Sequence, residues 1–348
     1  MIKLQRVFSF FVCLCLLVGV VSYDISAQEL SSDELIEIPD TVGQTLTSTK
    51  FDKIVPGVSG TITSVGSDTL ANLMSLWSEA FKRRYPHVKF QLQASGSATA
   101  PQALTQGTAT VGPMSREPTV DEISRFTRKF GYSPTTLKVA VDAIAIFVEH
   151  NNPLQALNLK QIDALFSVTR LCGESNRLDT WNQLEIGKFG SNRKIITFGR
   201  NSSSGTYDLF KQQALCGGDF KARVNELSGS ASVVRSVASS IGGIGYAALG
   251  ASIDSVRPIS VVIPSRNDQS NGSVRQVAPS PENITNGDYP FSRFLYIMVN
   301  KDPNKPLPTL ERTFLSFILS EQGQSMVSEN GYYPILPSTK NSQRELLF

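Results

Sequence analysis

Residues 198–210 have the sequence Phe-Gly-Arg-Asn-Ser-Ser-Ser-Gly-Thr-Tyr-Asp-Leu-Phe, and this stretch decides how the chain is expected to fold. Ile195 and Ile196, with Phe198, form a short β-type run. Leu209 and Leu215 fit the apolar stripe of a helix that follows. The stretch therefore predicts a strand, then a hydroxyl-rich turn, then a helix that begins at the turn.

The predicted turn carries the donors of an anion-binding site. The first backbone N–H groups of a helix have no intrahelical partner, and the helix dipole adds partial positive charge there. Ser204, Gly205 and Thr206 would supply N–H and O–H donors, and Arg200 a planar cation. A small oxyanion fits such a site. The alternative is an ordinary Ser/Thr helix cap, which is common and needs no ligand.

The same order of strand, small polar turn and helix recurs earlier in the chain. Alternating strands over 61–65 and 88–92 and a short strand over 109–112 are each followed by such a turn. The hydroxyl and cationic residues in these turns are Ser67, Thr69, Ser95, Ser97, Ser115 and Arg116. Three hydroxyl turns with glycines beside them indicate a shared oxyanion site more strongly than one turn does.

Strands that alternate with helices predict an α/β sheet with mainly parallel pairing. A nearly continuous apolar strand covers 137–148 and is interrupted by one charge, Asp142. Another strand is expected over 295–299, and one final helix over about 310–329. In such sheets ligands lie outside the carboxyl ends of the strands, which is where the polar turns fall.

Composition excludes several classes of protein. The chain has 348 residues, of which 41% are hydrophobic and 18% charged, as in a globular protein. A formal charge of +3 and the lack of a basic block argue against nucleic-acid binding. The only histidines are His87 and His150, with no clustered Cys/His spacing, so we expect neither a metal site nor a cofactor.

The N-terminus has the features of an export signal. Lys3 and Arg6 precede an apolar stretch from Val7 to Val21, which is short for a membrane span and suits a signal-peptide core. We expect residues 1–27 to be a cleaved signal peptide, with a retained anchor as the alternative. Residues 28–56 are polar and acidic and are expected to form a flexible leader.

Removing the signal peptide leaves two cysteines, Cys172 and Cys216. In an oxidising compartment two cysteines favour a disulfide over two free thiols. We therefore predict a Cys172–Cys216 disulfide.

The turns together resemble the PstS-type phosphate-binding proteins of bacterial high-affinity phosphate ABC transporters. The similarity extends over about 57–337, and Arg200 followed by Ser204-Gly205-Thr206 is its most specific part. The other matching segments are 66–69, 94–97, 243–246, 289–293, 321–324 and 331–332.

This resemblance implies a type II periplasmic-binding-protein fold, with two α/β lobes joined by two crossing strands and a ligand cleft between them. Lobe I would comprise 57–138 and 250–348, and lobe II 139–249. The implied function is binding of inorganic phosphate in the periplasm and its delivery to the permease subunits of an ABC transporter. The chain would be a monomer and not an enzyme.

Carried over position by position, the resemblance implies ligand contacts at Thr69, Leu70, Ser97 or Ser95, Arg200, Ser204, Gly205 and Thr206. With the candidates from the turns and the lone strand charge added, twelve residues are predicted to form the site. These are Ser67, Thr69, Leu70, Ser95, Ser97, Ser115, Arg116, Asp142, Arg200, Ser204, Gly205 and Thr206.

The chain departs from the family in one turn. Several members have an aspartate there that accepts the proton of hydrogen phosphate, whereas this chain has Ser115 and Arg116. Asp142 is the expected substitute, because an acceptor would reject sulfate, which has no proton to donate. Alternatively, Asp142 only pairs with Arg200 or Arg116, since a buried carboxylate needs a partner. Asp68 is a third candidate.

Three other functions are compatible with parts of the sequence. The same fold could bind sulfate, molybdate or a phosphate ester. A secreted phosphatase with Ser204 as nucleophile would need a base, and no histidine lies near it in sequence. A secondary role in adhesion or signalling would also be consistent with the fold.

Overall fold

The computed structural model describes residues 54–186, 192–265 and 273–348. The expected signal peptide and nearly all of the expected leader lie outside these ranges. Within the ranges, none of the helices combines the length and apolar character needed to cross a bilayer.

The described residues form twelve strands and ten α-helices. The strands are β1 (Gly60–Gly66), β2 (Val88–Ala94), β3 (Val111–Met114), β4 (Thr135–Glu149), β5 (Ala156–Asn158), β6 (Ile196–Arg200), β7 (Asn225–Leu227), β8 (Gly243–Ala248), β9 (Val256–Pro258), β10 (Ser260–Pro264), β11 (Val274–Val277) and β12 (Ser292–Val299). The helices are α1 (Ala71–Arg84), α2 (Thr99–Gln106), α3 (Val120–Phe130), α4 (Leu159–Phe166), α5 (Gly205–Ala214), α6 (Ser230–Ala238), α7 (Pro281–Thr285), α8 (Thr309–Ile318), α9 (Glu321–Glu329) and α10 (Pro337–Glu345).

Nine strands form one sheet in the order β2-β1-β3-β12-β4-β8-β6-β7, with β9 paired to the end of β4. β1 is parallel to β2 and β3, and β6 is parallel to β7 and β8. The central strands β12 and β4 are antiparallel to each other and to β3 and β8. The prediction of mainly parallel pairing is therefore right only for the two outer arms, because the chain crosses between them along β4 and returns along β12.

Strand β4 belongs to both arms of the sheet. Its residues 135–143 pair with β12, and its residues 144–148 pair with β8. This central place of β4 in the sheet explains the long apolar run predicted for the region. A strand whose two faces are both buried needs apolar residues throughout. The arm of the sheet that contains β1 is called the first lobe. The arm that contains β6 is called the second lobe.

Each lobe has an apolar core built around large aromatic side chains. In the first lobe Trp77, Phe81 and Phe314 are fully buried, with the Phe81 and Phe314 rings edge to face at 5.2 Å. In the second lobe the rings of Phe210 and Tyr246 stack at 3.8 Å. Phe210 is the last residue of the stretch 198–210. Its burial fixes α5 against β8 and so positions the turn before it.

Residues 250–265 and 273–291 pack with the second lobe. Val261 of β10, Val277 of β11 and Ile284 of α7 lie in the same core as Phe166, and β10 pairs with β5. The sequence analysis expects this segment in lobe I. We propose instead that the chain returns to the first lobe along β12, because the first-lobe core contains Leu295 and the apolar residues that follow it.

The expected single final helix over 310–329 is wrong, because the structure has two helices there, α8 and α9. The Ser320 hydroxyl accepts a hydrogen bond from Gly323 N–H at 3.1 Å and so caps α9. A Cβ at Gly323 would overlap the carbonyl oxygens of Phe317 and Ile318, so this tight corner requires glycine. Trp77 Nε1 donates to the Gly323 carbonyl at 2.9 Å and ties the corner to α1.

The predicted disulfide is confirmed. Cys172 and Cys216 are bonded, with their Cα atoms 5.4 Å apart and 44 positions apart in sequence. The bridge joins the segment after α4 to the segment after α5, so it braces the second lobe beside the helix that begins at the turn 201–204.

Replacing Cys172 with serine is expected to lower the free energy of unfolding. A loop of 44 positions corresponds to roughly 4 kcal/mol in the chain-entropy treatment. Urea denaturation of the oxidised proteins measures the change. A reducing agent should bring the unaltered protein to the midpoint of the variant and leave the variant unmoved. Equal midpoints under oxidising conditions would show that the bridge does not stabilise the fold.

Candidate functional site

Three helix N-termini meet between the lobes, as the polar turns predict. Strand β1 leads through residues 67–70 into α1, β2 through 95–98 into α2, and β6 through 201–204 into α5. Because β1 and β2 are parallel, their turns emerge at the same edge of the first arm. The turn before α5 approaches them from the second arm. Each of these N-termini contributes partial positive charge at one place, and several of its first N–H groups are held by bonds within the turns or across the cleft.

The two walls are in direct contact. The hydroxyl oxygens of Thr69 and Thr206 are 3.3 Å apart, and Ala98 N–H donates to the Ser203 carbonyl at 3.2 Å. A Cβ built on Gly205 would lie 2.7 Å from Ser97 Oγ, closer than real Cβ atoms approach. The backbone φ of Gly205 lies outside the left-handed region, so its backbone conformation does not require glycine. Close packing across the cleft does.

Buried hydroxyl groups line both walls. Ser67 Oγ accepts from Thr69 N–H at 3.2 Å, and Ser204 Oγ accepts from Thr206 N–H at 3.1 Å, so both serines cap their turns. Across the first wall, Ser97 Oγ lies 3.1 Å from Ser115 Oγ and accepts from Ser115 N–H at 2.9 Å.

Burial differs among the predicted site residues. Thr69, Leu70, Ser97, Ser115, Ser204 and Thr206 are all buried. Leu70 is the residue from which α1 begins, and its side chain packs in the first core. Ser95 is instead exposed at the rim, where Gln93 Nε2 donates to its hydroxyl at 3.0 Å.

Arg200 lies at the end of β6 with 1% of its surface exposed. Nη2 donates to Asp68 Oδ1 of the first lobe at 2.6 Å, Nη1 to Ser230 Oγ at 3.2 Å and Nε to the Leu227 carbonyl at 3.2 Å. This ion pair joins the two lobes. A cavity of about 60 Å³ opens beside the pair, and it is lined by Asp68, Ala94, Ser95, Gly96, Arg200, Asn201, Ser203 and Ser228.

Arg116 is held by carboxylates and its guanidinium is already engaged. Nη1 and Nη2 donate to the two Glu122 oxygens at 2.8 Å each, and Nε donates to Asp208 of α5 at 2.7 Å. Although burial opposes it, the Arg116 guanidinium holds the pKa of Glu122 below its usual value. From sequence, Arg116 is expected among the ligand contacts. In the structure Arg116 instead forms an ion pair between the lobes, because its Asp208 partner lies on α5 across the cleft.

Asp142 pairs with Arg293, and neither of the two arginines considered from sequence contacts it in the described structure. Arg293 Nη2 and Nε donate to Asp142 Oδ2 at 2.6 and 3.0 Å, and only 1% of Asp142 is exposed. Burial raises the pKa of the Asp142 carboxyl, and the charge of Arg293 opposes that shift.

Arg293 is a site residue that the sequence analysis does not single out. It lies on β12 directly opposite Asp142 on β4, and 8% of its surface is exposed. The signal that could have found it is a second lone charge in an otherwise apolar strand, since two such charges in paired strands suggest an ion pair.

The charges of the site nearly balance. Arg200 is paired with Asp68, and Arg293 with Asp142. A bound anion would therefore be held mainly by directed N–H and O–H donors rather than by an excess of positive charge. Among the described residues no group of His, Cys, Asp and Glu side chains could hold a metal ion.

Comparison with known proteins identifies the class. A family model described as a PBP superfamily domain matches residues 53–322. A crystal structure of a putative phosphate ABC transporter substrate-binding protein with bound phosphate from Clostridium perfringens has a TM-score of 0.64 and 25% identity, covering 80% of this chain and all of that one. An ABC-type phosphate transport receptor from Vibrio cholerae has a TM-score of 0.59 and 22% identity, covering 79% of this chain and all of that one. The fold is thus that of a type II periplasmic binding protein, as predicted.

A curated relative narrows the family further. The phosphate-binding protein PstS of Pseudomonas aeruginosa is 50% identical over 279 residues, which cover 80% of this chain and 84% of that protein. The chain belongs to the PstS family of phosphate-binding proteins within the PBP superfamily.

Proposed function

We propose that the chain binds inorganic phosphate and delivers it to an ABC transporter. The observation that carries the proposal is the meeting of three helix N-termini between the lobes, where the hydroxyls of Thr69, Ser97, Ser204 and Thr206 are buried and Arg200 is buried at the end of the strand that leads into α5. The names of the relatives support the same ligand. Family membership makes the chain a binding protein and not an enzyme.

The geometry suits a tetrahedral anion held between closed lobes. Such an anion presents four oxygens, and the walls supply hydroxyl and N–H donors from both lobes together with the guanidinium of Arg200. Hydrogen bonds that involve an ionised partner contribute about 1.5–3 kcal/mol each. Enclosure from both sides strengthens each of them, because water no longer competes. Sulfate, molybdate and phosphate esters would meet the same donors, so the donors alone do not select phosphate.

Selection requires an acceptor for the proton of hydrogen phosphate, and the geometry favours Asp68. Its Oδ1 is bonded to Arg200, and the carboxylate lines the cavity beside that arginine. Asp142, the acceptor expected from sequence, is bonded to Arg293, which also occupies the space between Asp142 and Thr206. We infer that Asp68 accepts the proton, and that Asp142 acts on the site through Arg293.

Replacing Asp68 with asparagine is expected to reduce the preference for phosphate over sulfate by about 10-fold, since one unfavourable buried contact with sulfate of 1–3 kcal/mol is removed. Asp142→Asn should change the affinities for the two anions alike. The measurement is the dissociation constant of each anion for both variants and the unaltered protein at pH 7. The opposite pattern, with Asp142→Asn losing the preference, would assign the acceptor to Asp142.

Transport implies partners and a location. We propose export to the periplasm by the signal peptide, action as a monomer, and docking of the closed form on permease subunits of the inner membrane. The ion pairs Arg116–Asp208 and Arg200–Asp68 support a closed form that presents both lobes in one fixed arrangement.

Equilibrium dialysis with labelled phosphate tests the proposed function. At pH 7 and moderate salt the protein should retain one phosphate per chain, and excess sulfate should displace little of it. Equal displacement by sulfate and phosphate would favour a receptor for another oxyanion. Hydrolysis of a phosphate ester by the purified protein would contradict the binding function.

A further inference from the structure

The ion pair between Asp142 and Arg293 lies on the two strands that connect the lobes. Arg293 of β12 and Asp142 of β4 are register partners in the antiparallel pair, so their side chains lie next to each other. Two of the three guanidinium nitrogens of Arg293 donate to Asp142 Oδ2. These bonds fix the guanidinium at the crossing between the lobes.

The third nitrogen of Arg293 contacts both walls of the cleft. Nη1 donates to the Ser115 carbonyl in the turn after β3 at 3.1 Å, and to Thr206 Oγ1 in the first turn of α5 at 3.0 Å. Nη1 carries two hydrogens, one for each of these acceptors. A single side chain of the crossing strands is thus bonded to the first lobe, to the second lobe and to the other crossing strand.

The bond to Thr206 determines the direction of its hydroxyl. A guanidinium has no acceptor, so Thr206 Oγ1 must accept in this bond. The single hydrogen of the hydroxyl therefore points away from Arg293, and Thr69 Oγ1 lies 3.3 Å from the same oxygen across the cleft. A hydroxyl whose oxygen already accepts from a cation is also a stronger donor. These are the properties that a ligand oxygen between the walls requires.

We propose that Arg293 is a positioning residue for the anion site, which orients the Thr206 hydroxyl as a donor to bound phosphate. It acts through Thr206 and does not itself contact the ligand. Since Nη1 reaches Thr206 and Ser115 together only when the walls meet, the orientation is complete only in the closed arrangement. The inference rests on the proposed phosphate function and adds to it the residue that couples the crossing strands to the site.

A purely structural role for Arg293 makes a different prediction. If the ion pair only held the crossing strands together, its loss would weaken phosphate binding whether or not residue 206 had a hydroxyl. If Arg293 acts through that hydroxyl, its effect must disappear once the hydroxyl is gone. A double-mutant cycle separates the two roles.

The cycle uses four proteins: the unaltered chain, Arg293→Lys, Thr206→Val and the double variant. Lysine keeps a positive charge beside Asp142 and cannot make all the bonds of the guanidinium. We expect Arg293→Lys and Thr206→Val each to weaken phosphate binding about 10-fold, the loss typical of one charge-assisted hydrogen bond. The double variant should bind as Thr206→Val does, within about 2-fold by the accuracy usual for such cycles. Calorimetric titration with inorganic phosphate at pH 7 supplies the four dissociation constants.

A matched control is Arg275→Lys, because Arg275 pairs with Asp288 at 2.8 Å in the second lobe and has no part in the cleft. It should leave phosphate affinity unchanged. Should Arg293→Lys not fold, the paired replacement Asp142→Asn with Arg293→Gln leaves no unpaired buried charge and takes its place in the cycle.

Losses that multiply in the double variant, or no loss in Arg293→Lys, would overturn the proposal while leaving phosphate binding by the unaltered chain intact. An unaltered chain that does not bind phosphate would instead remove the proposed function, and this inference with it.

Discussion

Replacing Arg200 with alanine is expected to weaken phosphate binding at least about 30-fold, because truncating one member of a buried, hydrogen-bonded charge pair costs about 2–5 kcal/mol. Two effects contribute. The guanidinium that faces the cavity is lost, and Asp68 is left as an unpaired carboxylate beside the position of the anion. Calorimetric titration with phosphate measures the loss.

Two further variants show whether the loss comes from the site. Arg235→Ala removes an exposed arginine of α6 in the same lobe and should leave the affinity unchanged. Adding Asp68→Asn to Arg200→Ala should recover part of the affinity, because the unpaired negative charge is removed. If Arg200→Ala keeps its fold, as judged by its melting temperature, and still binds phosphate with unaltered affinity, the cation of the site lies elsewhere.

The Gly205→Ala variant is expected to bind phosphate about 10- to 100-fold more weakly, since overpacking a close contact costs about 1–3 kcal/mol. The added methyl group would lie 2.7 Å from the hydroxyl oxygens of Ser97 and Ser115 and close to Arg116. Its effect falls on closure of the walls. Gly205 has an ordinary helical backbone, so the second lobe can still form around alanine.

This substitution contains its own control for folding. Alanine is a better helix former than glycine by up to about 1 kcal/mol, so the ligand-free variant should melt at the same temperature as the unaltered protein or slightly above it. Weaker binding together with undiminished stability would locate the effect at the cleft. Unchanged affinity would mean that the walls around Gly205 do not close as tightly as the structure shows.

Local sequence predicts the turns of this protein well, and the reason is physical. Each hydroxyl turn follows an alternating strand and precedes an apolar stripe, so strand end, cap and helix start can all be located within about fifteen residues. The turns at 67–69, 95–97 and 204–206 accordingly lie at helix N-termini in the structure. The disulfide could be predicted because only one pair of cysteines remains after the signal segment.

Partners that are distant in sequence could not be predicted in this way. Arg293 and Asp142 are 151 positions apart, and only the pairing of β12 with β4 brings them together. Arg116 offers the right chemistry for an anion ligand, but its guanidinium is bonded to Asp208, 92 positions away in sequence, as well as to the nearby Glu122. The break between α8 and α9 was missed because the apolar stripe continues across it, while the close packing at Gly323 is a tertiary effect.

The central claim is that the junction of α1, α2 and α5 around Arg200 is a phosphate site. A calorimetric titration of the unaltered protein with inorganic phosphate, run beside the Arg200→Ala variant at pH 7, tests it most directly. We expect one phosphate per chain for the unaltered protein and at least about 30-fold weaker binding for the variant. No phosphate binding by the unaltered protein, or equal binding by the two proteins, would contradict it.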